Sequence, residues 1–202
     1  PPKGDIITKI YLKTILPAKS GAYYDGVGTR IITETRLTVG GVLVSTLTGA
    51  YIDLKNNIEV PYENQGGVSA LTLTGTNRTS GGNYTPYTLT RLDFGVPNIP
   101  ICNLDRHDVI IELDINATLS SLFTSKDIVL ASLLVEYATV AKPELDWFTE
   151  NRQTIVYNSL IYRSVTVNAG TNVIRLNGYV KNFVKEFYII LQDRKSTRLN
   201  SS

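Results

Sequence analysis

Thr29 to Ser45 reads TRIITETRLTVGGVLVS, and its spacing decides the fold. Ile31, Thr33, Thr35, Leu37 and Val39 alternate with Arg30, Ile32, Glu34, Arg36 and Thr38. A period of two puts the first set on a buried face and the charged set towards solvent, which is the pattern of a half-buried strand. Gly40-Gly41 follows, and two adjacent residues free to take positive φ suit a tight hairpin. Val42, Leu43 and Val44 begin the return strand. Layers of antiparallel sheet are expected around this hairpin.

Upstream, Asp5 to Leu16 alternates Ile6, Thr8, Ile10 and Leu12 against Ile7, Lys9, Tyr11 and Lys13, and Pro17 ends the strand. Ala18 to Gly28 is turn-like. Downstream, Thr48 to Asn57 has Tyr51, Leu54 and Ile58 at helical spacing with Thr48 as a cap, so a short helix is expected. Glu59 to Pro86, rich in Gly, Ser, Thr and Asn, reads as a long exposed loop holding a short strand at Val68 to Leu73. Tyr87 to Phe94 is a strand. Pro97 and Pro100 keep Gly95 to Asp105 out of regular sheet. Asp108 to Ile115 alternates, with Val109, Ile111, Leu113 and Ile115 inside. Asp127 to Ala138 is nearly apolar throughout, which predicts a central strand covered on both faces. Pro143, Glu144 and Asp146 suit the first turn of a helix running through ELDWFTEN. Strand patterns resume from Gln153, with an aromatic-rich strand at Phe183 to Leu191.

The bulk composition excludes several functions. With 43% hydrophobic and 19% charged residues, the 202-residue chain has material for a real core. Its single Cys, Cys102, excludes an internal disulfide and a Cys-based zinc site. The longest apolar run, Ile128 to Val135, is strand-sized, so no membrane insertion is expected. Asp193 to Ser202 (DRKSTRLNSS) looks like a reading frame of a sequencing-library adapter, and is expected to be an artefact. Without Arg194, Lys195, Arg198 and Asp193 the chain is neutral, so the formal charge of +2 gives no reason to expect direct nucleic-acid binding.

Asp105-Arg106-His107-Asp108 is the one dense cluster of ionisable groups. Successive residues leading into a strand point to opposite faces, so they do not converge on one reacting atom. His107 is the only His, which excludes a multi-His metal site, and no cofactor is expected. Cys102 reads as a small buried hydrophobe. Gly26-Val27-Gly28 lacks the third Gly and the Lys of a phosphate loop, and reads as a turn. Trp147-Phe148 reads as a pair packing its helix onto a sheet. Three Asn-X-Ser/Thr triplets begin at Asn77, Asn83 and Asn116, and these are the candidate glycosylation sites.

Taken in order, these stretches resemble the major capsid protein of the nucleocytoplasmic large DNA viruses. The resemblance is carried by Gly4-Asp5-Ile6-Ile7-Thr8, by ETRLTVGG (Glu34 to Gly41) and by GAYIDLKN (Gly49 to Asn56). It continues through IPICNLDRHDVIIELDI (Ile99 to Ile115), with His107 at the family's His, and LLVEYATV (Leu133 to Val140). PELDWFTENRQTIVYNSL (Pro143 to Leu160) and LNGYVKNFVKEFYIILQD (Leu176 to Asp193) complete it. Tyr51 and Leu54 replace the aromatic residues of the family's helix, and LDFGVP (Leu92 to Pro97) only echoes its aromatic strand.

The resemblance implies an all-β fold: an antiparallel jelly-roll β-sandwich, here an incomplete double jelly roll with short helices in the connections. Residues 1–141 would be the first jelly roll without its leading strands, 142–152 a linking helix, and 153–192 the beginning of a second jelly roll. It further implies a structural coat protein, not an enzyme, that forms homotrimeric pseudo-hexagonal capsomers of an icosahedral shell. Neighbouring capsomers and minor capsid proteins would be partners, the virion capsid the location, and the host cytoplasm the site of assembly. The rival reading is a carbohydrate-binding jelly-roll β-sandwich, which would require aromatic and polar side chains converging on one groove. A hydrolase would require a nucleophile–base–acid set that the sequence does not contain.

Overall fold

Two Ile-Ile-Thr stretches, residues 6–8 and 31–33, run into the central strands of the two sheets found among the described residues. The computed structural model describes residues 4–17, 23–74, 87–104, 107–116, 130–151, 154–162, 170 and 183–189. The chain divides into two units, residues 1–160 and 161–202.

In the first unit, β1 (Ile6–Ile15) has both edges occupied. β7 (Leu130–Ala138) pairs antiparallel with it along its whole length, from Ile6↔Ala138 to Ile15↔Leu130. Along the other edge lie β4 (Tyr87–Arg91), opposite Tyr11 to Ile15, and β5 (Ile99–Pro100), opposite Ile6 and Ile7. The second sheet has the order β3-β2-β6, built from β2 (Ile32–Val39), β3 (Val42–Leu47) and β6 (Val109–Ile115). Gly40 and Gly41 join β2 to β3 with φ of 57° and 79°, the positive-φ pair that a two-residue hairpin needs.

The strict alternation expected for β1 and β2 is interrupted at the same place in each. The β1–β7 register jumps between Ile7 and Lys9, and the β2–β6 register between Ile32 and Glu34. The residue left over is Thr8 in one strand and Thr33 in the other. A bulge inserts one residue and turns everything before it over. Ile31 and Ile32 are therefore both buried while Thr33 is exposed, and Ile7 is buried where Ile6 and Thr8 were expected inside. Thr8 Oγ1 donates to the Glu136 carbonyl at 3.2 Å and its carboxylate at 2.9 Å, so the displaced hydroxyl has partners.

The inward residues of both sheets, among them Ile10, Leu12, Leu37 and Leu47, form one core with Leu16, Tyr23, Val27, Ile52, Leu92, Phe94 and Ile99. Removing this apolar surface from water is the main stabilising term, at roughly 25 cal/mol per Å². Buried threonines are satisfied: Thr35 Oγ1 donates to the Glu112 carbonyl at 2.9 Å, Thr90 Oγ1 to the Gly28 carbonyl at 2.9 Å, and Thr14 and Thr88 bond each other. Ser45 is the exception among the described residues: its Oγ is buried and has no partner. Leaving a buried hydroxyl unpaired costs about 1–3 kcal/mol, so Ser45→Ala should raise stability by about 1 kcal/mol in a urea titration. A loss of stability would mean that the hydroxyl is bonded.

Helices fill the connections. α1 (Val27–Arg30) is a single turn following Gly26, which takes φ 64°. α2 (Gly49–Glu59) is capped by Thr48, whose side chain accepts from the Tyr51 N–H at 3.3 Å, as the sequence predicts. Its buried residues are Gly49 and Ile52, and Ile58 of the expected apolar stripe is exposed.

α3 (Tyr62–Thr72) corrects the expected loop and its strand at Val68 to Leu73. A strand must find a partner, whereas a helix satisfies its backbone locally. Here Pro61 precedes the first turn, Glu63 lies in it, Thr72 Oγ1 bonds the Val68 carbonyl at 2.9 Å, and Leu73 ends the helix with φ 57°. α4 (Lys142–Glu150) forms where Pro143 predicts it and packs against a 3₁₀ turn at Ile101–Asn103.

Two strand expectations fail. Among the described residues β7 pairs only with β1, and Leu130 and Leu134 are 52% and 45% exposed, so it is an edge and not a covered central strand. Its apolar run fits burial on two faces, but periodicity carries no information about which neighbours arrive. Residues 154–162 and 183–189 contain no regular strand, since no described strand pairs with them. In the second unit, Tyr188 OH donates to the Glu186 carboxylate, and Lys185 lies 3.4 Å from the same side chain.

Candidate functional site

The sequence clusters resolve into turns and strand lead-ins. Asp105 and Arg106 lie outside the described residues, as do Asn77 and Asn83. His107 is exposed and donates its backbone N–H to the Leu104 carbonyl at 3.0 Å. Its ring rests on the β2–β3 turn, where a Cβ on Gly40 would lie 2.7 Å from Nδ1. The Asp108 carbonyl accepts from the Gly40 N–H at 3.0 Å, which ties β6 to that turn. Cys102 is half-buried and donates its backbone N–H to the Asp5 carbonyl at 3.1 Å. Gly26 accepts from the N–H groups of Thr29 and Arg30, and a Cβ on Gly28 would press on Thr72, Thr88 and Thr90, so this glycine pair is a packed turn. Asn116 closes β6 with its N–H on the Ile31 carbonyl at 2.9 Å. Trp147 and Phe148 meet edge to face at 5.4 Å with Trp147 more than half exposed.

Among the described residues no three His, Cys, Asp or Glu side chains come together as a metal site, and no helix is long and apolar enough to cross a membrane. One small polar cleft of about 30 Å³ opens between α2 and α3, next to Asp53, Asn57, Gln65 and Thr72. That is room for water and not for a sugar ring. Burial pushes the Asp53 carboxyl above its usual range, against the opposing pull of Arg30 and a hydrogen bond from Thr29.

Charge is organised on the outward faces of the sheets. Arg36 sits mid-strand with Glu34 beside it, Asp114 at 3.0 Å and Glu112 at 3.5 Å on β6. The hydrogen bond and charge of Glu34 come first in raising its pKa further. On the other sheet Lys9 lies 3.1 Å from Glu136, whose pKa falls through hydrogen bonds from Lys9 and Thr8.

A third group, invisible in the sequence, joins α2 to the end of β4: Asp93 accepts from Lys55 Nζ at 3.1 Å and from the Gly95 N–H at 3.1 Å. Burial alone would raise the Asp93 pKa, but the Gly95 and Lys55 bonds and the charges of Lys55 and Arg91 hold it below the usual carboxylate value. A carboxyl depressed in the folded state stabilises above its unfolded pKa, and that stabilisation is lost as pH falls through the folded value. Asp93→Asn should therefore cost about 1 kcal/mol at neutral pH, after allowance for solvent screening, and the two stability curves should converge below about pH 4. Parallel curves throughout the acid range would contradict the assignment.

The described residues thus form an antiparallel sandwich with helical connections and charge on its outer faces. No protein family and no curated protein matches the chain. Solved structures do. VP54 of PBCV-1, fitted into a cryo-EM reconstruction of the virophage Sputnik, superposes with a TM-score of 0.64 at 15% identity, over 75% of this chain and 39% of that one. A chain of a quasi-atomic model of the PBCV-1 virus capsid gives 0.62 at 16% identity, over 73% of this chain and 38% of that one. The present chain thus spans well under half the length of the structures it matches, and its fold is the jelly-roll sandwich of these capsid chains.

Proposed function

We propose that the chain is part of a coat subunit of an icosahedral virus, in the major capsid protein family of the nucleocytoplasmic large DNA viruses. The observation that carries this is the superposition on PBCV-1 VP54 over 75% of the chain. It is supported by a series of motifs that resembles the same family in the same order, from Gly4-Asp5-Ile6-Ile7-Thr8 onward. The subunit works without catalysis, through self-association into homotrimers of hexagonal outline. Neighbouring trimers and minor capsid proteins are its further partners, and it is assembled in the host cytoplasm into the virion shell. Residues 1–141 form the first jelly roll, 142–152 the link and 153–192 the start of the second. Asn77, Asn83 and Asn116 are the positions where glycans would be attached.

The carbohydrate-binding reading gains nothing from the cleft between α2 and α3, which is too small for a sugar ring. Light scattering on the full gene product tests the proposal. Three copies per particle are expected, while a monomer that retains sugars on a glycan array would overturn it.

A further inference from the structure

Burial across the two sheets is lopsided. On one side the inward residues beside the central strands are sealed: Thr88 and Thr90 on β4, and Ser45 and Leu47 on β3, are each at most 2% exposed. α1 and α3 pack on β4 and close that side. On the other side the same rows run out into solvent. Leu133 on β7, opposite the buried Leu12, is 39% exposed. Ile111 on β6, opposite the buried Leu37, is only half-buried. Both strands are edges, since among the described residues β7 pairs only with β1 and β6 only with β2. An apolar strand with an unpaired row of N–H and C=O groups is a template for a further strand. The nearly apolar sequence of β7 is itself that of an interior strand.

The course of the chain says which segment can arrive there. Asp5, just before β1, donates its N–H to the Ala138 carbonyl and accepts from the Cys102 N–H. A few positions after Cys102, the Asp108 carbonyl accepts from the Gly40 N–H at the hairpin tip, and β6 begins at Val109. The starts of β1 and β6 therefore lie at the same end of the sandwich. Chain on its way to β1 can run along the open edge of β6 towards Val109, antiparallel to β6, and cross directly into β1. The stretch before that can run along the open edge of β7 towards Leu130, antiparallel to β7, and turn at the far end. Both new strands would then pair as every described pair does, antiparallel.

We infer that the polypeptide immediately preceding Pro1 in the full gene product supplies two strands, the first closing the edge of β7 and the second the edge of β6. This rests on the coat-subunit reading in one respect, that the chain is part of a longer one. It spans 39% and 38% of the capsid chains it matches. A tethered segment also reaches these edges at a far higher effective concentration than a second copy does.

The test places the photo-crosslinker p-benzoylphenylalanine at Leu134 or at Ile110 in the full gene product. Both are exposed positions on the two open edges, so the fold should tolerate the change. Unlabelled and isotope-labelled chains are mixed, which tells capture within one chain from capture of a second copy. Capture of peptides that precede Pro1, within the same chain, is expected at both positions. In the unaltered full gene product the outer-edge amides of β6 and β7 should exchange on the order of a hundredfold or more slower than unprotected amides. Capture confined to residues after Pro1 or to a second copy would overturn the inference, as would outer-edge amides that exchange at the unprotected rate. Light scattering keeps the two readings apart. Three copies per particle with open edges overturn this inference alone, and a single copy with closed edges overturns the coat reading alone.

Discussion

Gly49→Ala is expected to lower folding stability by about 3 kcal/mol or more, a large part of the 5–15 kcal/mol typical of a domain. The first residue of α2 passes so close to α1 and β2 that an added Cβ would lie 2.1 Å from the Thr29 carbonyl oxygen and 2.5 Å from that of Ile32. Both obstacles are backbone atoms, so no rotamer change relieves them. The same substitution elsewhere has the opposite sign. Gly66, within α3, has nothing within 4 Å of an added Cβ and no positive φ. Ala there removes glycine's excess of unfolded-state freedom, and should stabilise by about 0.5–1 kcal/mol. Urea titrations of the two variants check the pair. A Gly49→Ala protein as stable as its parent would contradict the packing of α2 against α1.

Leu12→Ala should cost about 3 kcal/mol, in the usual range for a fully buried leucine. Leu12 is 1% exposed and faces Thr90 on one side and Leu133 on the other, at the middle of the strand that carries both neighbours. Leu133 lies in the same inward row but on the edge strand, where it is 39% exposed. Leu133→Ala should therefore cost only about 1 kcal/mol, since partly solvated methylenes lose less on removal. Equal losses, measured by chemical denaturation, would mean that β7 is covered on both sides after all.

The hairpin at Thr29 to Ser45 was legible because two local signals coincide in it, a period of two and a Gly-Gly turn. The bulges at Thr8 and Thr33 were not. Ile-Ile-Thr fits either face, and which residue is left over depends on partners at β7 and β6, roughly 80 to 130 positions away. In sequence α3 resembles a loop because Gly66-Gly67 and the many polar residues hide a helix whose terminal signals, Pro61 and Glu63, are nonetheless present. For β7 the error has another source. An apolar run reports what a strand can tolerate beside it, and the edge position comes from tertiary pairing.

Successive residues from Asp105 to Asp108 lead into a strand in opposed directions, so their sequence offers no converging set of reactive groups. His107 and Asp108 lie at the hairpin turn, as parts of a strand lead-in. The lysine edge of β1 was visible from Lys9 and Lys13 alone. What was not visible is that Arg91 joins them, because only the register Tyr11↔Arg91 brings it there. Likewise Arg36 and Glu34 could be placed on one strand, but their ring of carboxylates needs Glu112 and Asp114 from β6. Charge patterns that span strands are written in the topology and not in any one stretch of chain.

The most direct test of the coat-subunit account is an electron cryomicroscopy reconstruction of particles assembled from the full gene product. The account predicts units of hexagonal outline whose density accepts this sandwich in several symmetry-related copies. Isolated single sandwiches, at every concentration and ionic strength at which the protein remains folded, would contradict it.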